Sequence, residues 1–274
     1  MATTKKNKQP IGIFDSGIGG LTVANAVCRA LPNEEIIYFG DTFHLPYGEK
    51  SADAIRYYCI KIVKFLLEQN CKMIIIACNS ASSAAYHTVL DFYKGETIFV
   101  DVVNPLVEAV AAKEYHKVGV IATKATIGSG VYERKLLSEQ SDLKVVSLAT
   151  PLLVPMIEEG FCNNSISESI IKEYLSNKSF DGIQAMLLAC THYPLIKKNI
   201  ENFYDGQVNV YDSTDVVTTV VKNKLAKKNL LNDKKENAHR FYVSDFTQSF
   251  EETTRIFYEQ EIHLEEKKIW GSRE

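Results

Sequence analysis

Short strand-like segments punctuate the chain, at 11–15, 35–39, 72–78, 97–103, 117–123, 143–149, 182–190, 207–212, 239–244 and, more polar than the rest, 262–270; the clearest are apolar runs such as 72–78 and 182–190. Runs of this length predict strands, and their nearly unbroken apolar character predicts burial on both faces. Between them the apolar positions recur at helical spacing. The segment 52–69 is the clearest: Ile55, Tyr58, Cys59, Ile62, Val63 and Leu66 share one face, while Lys61, Lys64 and Glu68 fall elsewhere. A helix over 214–228 opens on Ser213-Thr214-Asp215, an N-cap sequence, and turns Val216, Val217, Val220 and Val221 to the core. Strand and helix alternate nearly throughout, which predicts an α/β protein with a largely parallel sheet. No Gly/Ser-rich linker divides the chain. Residues 1–10 begin polar and basic, lack the apolar stretch of a signal peptide, and are read as a disordered tail. The polar block 233–236 is read as solvated surface.

Charge and cysteine usage narrow the class. Thirty-one Lys and Arg against 34 Asp and Glu give a net charge of −3, without the basic excess that nucleic-acid binding requires. No apolar run approaches the length of a transmembrane helix, so no membrane association is expected. Six cysteines without a CxxC pair predict free thiols in a reducing cytoplasm.

Two matching strings carry the candidate chemistry: Ile-Ile-Ile-Ala-Cys-Asn-Ser at 74–80 and Met-Leu-Leu-Ala-Cys-Thr-His at 186–192. Each places a cysteine, Cys78 or Cys190, at the end of a predicted buried strand, where open α/β sheets bind ligands. They hint at two similar α/β units. Asn79 and Ser80 follow Cys78 at the start of a predicted helix, where side chains and free N–H groups suit a carboxylate. A helix N-terminus is also expected to lower the thiol pKa from about 8.5 toward neutrality. His192 stands two residues after Cys190 as a proton partner. Pro194 opens a predicted helix over 194–204, capped by Thr191 or His192.

Two loops accompany the thiols. In Ile11-Gly12-Ile13-Phe14-Asp15-Ser16-Gly17-Ile18-Gly19-Gly20-Leu21 a strand ends at Asp15 and a glycine-rich turn leads into a helix. The dinucleotide spacing fails, because Thr22 stands where a third glycine is needed. A small carboxylate is the expected ligand of that helix N-terminus. Pro46-Tyr47-Gly48 forms a rigid turn after the strand at 35–39. Four other readings stay open on these residues: a Cys190–His192 nucleophile, a zinc site on Cys78, Cys190 and His192, a Cys78–Cys190 disulfide, and a non-catalytic binding module. Only a two-base reaction uses both thiols and the loop together. One thiolate removes a proton from one face of a carbon, and the other thiol returns one to the opposite face.

Phe14-Asp15-Ser16-Gly17-Ile18-Gly19-Gly20, Pro46-Tyr47-Gly48-Glu49, Ala77-Cys78-Asn79-Ser80-Ala81 and Ala189-Cys190-Thr191-His192-Tyr193-Pro194-Leu195 together resemble the aspartate/glutamate racemase superfamily, from Ile11 to Trp270. His192, where aspartate racemases typically carry Glu, favours glutamate. The resemblance implies two similar Rossmann-like parallel-sheet domains with the active site at their interface. One would comprise 11–101 with 213–274, the other 102–212. It implies a cofactor-independent racemase supplying D-glutamate for peptidoglycan. Cys78 would be the base for D-glutamate and Cys190 for L-glutamate, assisted by Asp15 and His192 respectively. Asp15, Ser16, Pro46, Tyr47, Gly48, Asn79, Ser80, Thr123, Thr126, Glu158, Thr191 and His192 would bind substrate. The implied partner is the small-molecule substrate, and a homodimer is among the expectations. Two departures stand out. Ser80 replaces the usual Thr but keeps its hydroxyl, and Thr150 stands where many members have Cys.

Overall fold

The computed structural model describes residues 6–271, apart from the side chain of Asp215. Among the described residues, ten parallel strands form two sheets. They are β1 (Ile11–Asp15), β2 (Ile36–Gly40), β3 (Met73–Ile76), β4 (Ile98–Asp101), β5 (Lys117–Ala122), β6 (Lys144–Ala149), β7 (Ala185–Ala189), β8 (Asn209–Asp212), β9 (Arg240–Val243) and β10 (Leu264–Glu266). All ten predicted runs contain a strand. β1, β2, β3 and β7 are buried at every residue, as strands covered by helices on both faces must be.

One sheet has the order β10-β9-β2-β1-β3-β4, the other β6-β5-β7-β8. The first four strands of the chain and the next four are therefore arranged alike, each with its first strand between its second and third. In both, the connection reverses direction beside the first strand, and an open α/β sheet opens its ligand crevice at such a reversal. Cys78 follows the third strand of one sheet and Cys190 the third strand of the other. The weak echo between the two cysteine strings reflects this shared topology.

Local details correct the sequence reading. β3 stops at Ile76, so Cys78 lies beyond the strand and is itself the N-cap of the helix Asn79–Phe92. The helix Ser213–Lys227 is capped by Asp212, whose carboxylate accepts from Thr214 N–H, because Asp212 is the last extended residue before the helix. The predicted 194–204 helix divides into a 3-10 turn, Tyr193–Ile196, and a helix, Lys197–Phe203, and neither Thr191 nor His192 caps it with its side chain.

The tail expectation over 1–10 falls partly on residues 1–5, which lie outside the described residues. Residues 6–10 are among the described ones. Pro10 is buried, and the Asn7 carbonyl accepts from the buried Lys72 ammonium. Lys72 also pairs with Glu34 at 2.5 Å and donates to Leu230 O at 2.8 Å. A buried ammonium requires such a set of acceptors, and the tail supplies one of them.

Candidate active site

Side chains following β1, β2, β3, β5, β6 and β7 converge on one cavity of about 380 Å³. Ser16, Pro46, Tyr47, Gly48, Cys78, Asn79, Ser80, Thr123, Glu158, Cys190, Thr191 and His192 all line it. Asp15 and Thr126, both 1 % exposed, stand behind the lining. The fourteen residues singled out from the sequence therefore gather around one space.

The glycine turn works differently from the expectation. Gly17 and Gly20 N–H both donate to Asp15 Oδ2, at 3.2 and 2.9 Å. Leu21 and Thr22 N–H are taken by Ile18 O and Gly19 O. The anion held by this turn is thus the carboxylate of Asp15 itself. Asp15 Oδ1 remains buried without a partner, as does Asn79 Nδ2. Tyr132 fixes the orientation of that amide, its hydroxyl donating to Asn79 Oδ1 at 2.7 Å. One acceptor and one donor, both desolvated, stand unpaired at the same site. Native proteins leave few buried polar atoms in this state, and a catalytic or binding role is one explanation for them.

The two thiols are 5 % and 6 % exposed and sit in opposite electrostatic surroundings. Cys78 Sγ accepts from Ala81 N–H at 3.4 Å and its thiol donates to Ser16 Oγ at 3.6 Å. Burial, and then the Asp15 carboxylate, nevertheless push its pKa well above the ordinary thiol value. The expected lowering by the helix N-terminus is overruled, because the hydrogen bonds with Ala81 N–H and with Ser16 cannot offset desolvation beside an anion. Cys190 instead faces His192, with Sγ 3.7 Å from Nδ1. The other ring nitrogen, Nε2, meets Glu158 Oε1 at 2.9 Å. Burial opposes charging of the imidazole, but hydrogen bonds and attraction from Cys190 and Glu158 outweigh it and push its pKa up to about 10. Cys190 thus faces a cation and Cys78 an anion.

Hydroxyls join the two sheets across the cavity. Ser80 Oγ lies 2.9 Å from Thr123 Oγ1, which donates to Thr126 Oγ1 at 3.1 Å. Thr22, the residue that spoils the dinucleotide pattern, donates to Thr191 O at 2.9 Å. Gly48 packs against Thr123, where an added Cβ would fall 3.0 Å from Thr123 Cβ.

Several lining residues were not singled out as site residues. Thr150, Pro151, Val154 and Pro155 build an apolar wall, and Thr150 follows β6 as Thr123 follows β5. Their position after a strand was the available signal. Glu49 and Lys124 face each other at 3.2 Å on the cavity rim. Phe257 sets its ring edge-on to His192, with centroids 5.2 Å apart, from a helix whose sequence carries no chemical signature. Among the described residues no group of three or more His, Cys, Asp or Glu is arranged to hold a metal ion. All six cysteines are free. No described helix is long and apolar enough to cross a membrane.

Residues 22–221 match the family of Asp/Glu/Hydantoin racemases. The chain is 40% identical over 255 residues to a glutamate racemase of Chlorobaculum parvum, covering 92% of this chain and 93% of that one. Among solved structures, glutamate racemase from Francisella tularensis in complex with D-glutamate superposes with a TM-score of 0.88 at 40% identity, covering 96% of this chain and 98% of that one. The Thermus thermophilus glutamate racemase in complex with beta-chloro-D-alanine gives 0.87 at 35% identity, covering 96% and 98%.

Proposed function

This chain belongs to the Asp/Glu/Hydantoin racemase family, and we propose that it interconverts L- and D-glutamate by a two-base reaction that needs no cofactor. The observation that carries this reading is the unequal pair of thiols on one cavity: Cys190 against the His192 imidazolium, Cys78 against the Asp15 carboxylate. Two-base inversion needs one thiolate and one thiol at the start of each turnover, and this electrostatic contrast supplies that inequality.

For L-glutamate, the Cys190 thiolate removes the Cα proton and the Cys78 thiol delivers its proton to the opposite face. For D-glutamate the roles exchange. The Cα proton is a very weak acid, so a thiolate alone is an inadequate base and the developing enediolate must be stabilised by fixed donors. In this reading Asn79 Nδ2 and the hydroxyls of Ser80, Thr123 and Thr191 serve the carboxylates, and Asp15 stands behind them beside Cys78. Ser16, Pro46, Tyr47 and Gly48 complete the walls, Thr126 holds the hydroxyl chain, and Glu158 keeps His192 charged.

The reading divides the chain into 11–101 with 213–274 and 102–212, which is how the strands distribute between the two sheets. It places the enzyme in the cytoplasm, supplying D-glutamate for peptidoglycan. The test is proton NMR of the protein with D-glutamate in D2O, under reducing conditions. Loss of the Cα–H signal with appearance of L-glutamate is expected. Absence of exchange with either enantiomer would reject the reading. One methylene separates glutamate from aspartate, a discrimination of about 1–3 kcal/mol, so the same tube with aspartate measures the preference.

A further inference from the structure

Asp41 follows β2, is fully buried, and its carboxylate accepts four hydrogen bonds. Tyr47 OH and His44 Nδ1 meet Oδ2 at 2.6 and 2.8 Å. Ser244 Oγ and Trp270 Nε1 donate to Oδ1, each at 2.8 Å. A carboxylate has about four good acceptor positions, and here all four are taken. Two donors come from the loop that walls the cavity through Pro46, Tyr47 and Gly48. The other two come from segments some two hundred residues later.

Trp270 is half-buried against the same loop and the helix Ala52–Glu68. The His44 ring lies edge-on to it at 4.4 Å between centroids and stacks on Tyr58 at 3.9 Å. Tyr58 is edge-on to Trp270 at 5.6 Å. Lys61 Nζ sits 5.7 Å from the indole centroid, within cation–π range. Trp270 therefore touches nothing in the cavity, yet it shares its one polar partner with Tyr47.

From this geometry we infer that Trp270 is a positioning residue for glutamate binding: its indole N–H, through Asp41, holds Tyr47 and the 45–48 turn in the conformation that walls the site. The inference rests on the racemase reading above. Removing the N–H leaves Asp41 Oδ1 with Ser244 alone, and a buried carboxylate short of a donor recruits one from a neighbour. His44 and Tyr47 are those neighbours, and the turn moves with them. Such a wall contributes to ground state and transition state alike, so its displacement raises KM more than it lowers kcat.

Two replacements test this. Trp270→Phe keeps an aromatic ring and deletes the donor. Because the chain has a single tryptophan, biosynthetic incorporation of benzothienylalanine in a tryptophan auxotroph replaces only the indole N–H of Trp270 by sulfur at nearly constant shape. Both proteins are expected to show KM for D-glutamate raised about 3- to 10-fold, with kcat within about twofold, the size of one ordinary net hydrogen bond. Trp270→Phe and Tyr47→Phe combined should raise KM by less than the product of the single effects, since both act on one carboxylate. Lowered thermal stability with an unchanged KM in the benzothienylalanine protein would reduce Trp270 to a packing role and overturn the inference. Failure of the unaltered protein to racemise glutamate would reject the racemase reading instead, so the two failures are distinct.

Discussion

Gly19 approaches His192 so closely that a Cβ on it would fall 2.2 Å from Cε1 and 2.4 Å from Nδ1 of the imidazole. The glycine is required by its neighbour across the sheets. Gly19→Ala is therefore expected to push the imidazole away from Cys190 and lower kcat by about 10²-fold, the scale of a 1 Å misplacement of a catalytic group. The rate with each enantiomer measures this, and full activity would show that His192 yields without consequence.

Cys78→Ala and Cys190→Ala should each abolish racemisation, because inversion needs a base on each face. A substrate analogue that eliminates after a single deprotonation separates the two. Each variant should still process one enantiomer of it: Cys190→Ala the D form and Cys78→Ala the L form. Processing of the same enantiomer by both variants would contradict the assignment of the thiols.

The His192 pKa is raised from an ordinary 6.5 to about 10, so the folded protein holds this proton more tightly than the unfolded chain. The resulting stability is fully present below about pH 6.5 and is lost as pH rises toward about 10. Glu158→Gln removes the anion on Nε2 and lowers that pKa, which moves the loss to lower pH. Thermal unfolding midpoints from pH 6 to 10 would display the shift. Superimposable profiles would show that Glu158 does not hold the proton.

Tyr132→Phe removes the one hydrogen bond that orients the Asn79 amide. The amide is then free to turn, and its donor is no longer held ready. A loss of about 10-fold in kcat/KM is expected, equivalent to about 1.4 kcal/mol. Steady-state kinetics decide it, and an unchanged kcat/KM would mean that the packing around Asn79 orients the amide without Tyr132.

Much of the fold was legible because its central strands are short apolar runs with nothing polar to interrupt them, as in Met73–Ile76 and Ala185–Ala189. The thiols were legible because Cys78 and Cys190 break those runs at matching places. The glycine turn was misread. Its spacing says only that the backbone is tight, and cannot say that Asp15, two and five residues away, consumes the N–H groups of Gly17 and Gly20. Asp41 and Phe257 went unnoticed because their partners are distant in the chain. Trp270 and Ser244 reach Asp41 over separations of 229 and 203 residues.

The sequence by itself determined the α/β class, the ten strand positions and the identity of the chemical groups, since periodicity and residue type are local properties. Tertiary structure alone decided the protonation bias of those groups. A thiol at a helix N-terminus is acidified by local geometry, but Cys78 is instead held protonated by burial and by Asp15, arriving from β1. His192 is held charged by Cys190 beside it and by Glu158, which reaches its far nitrogen from the helix Leu153–Glu158. Desolvation and Coulomb energy depend on distances through space, and those exist only once the two sheets have closed on one cavity.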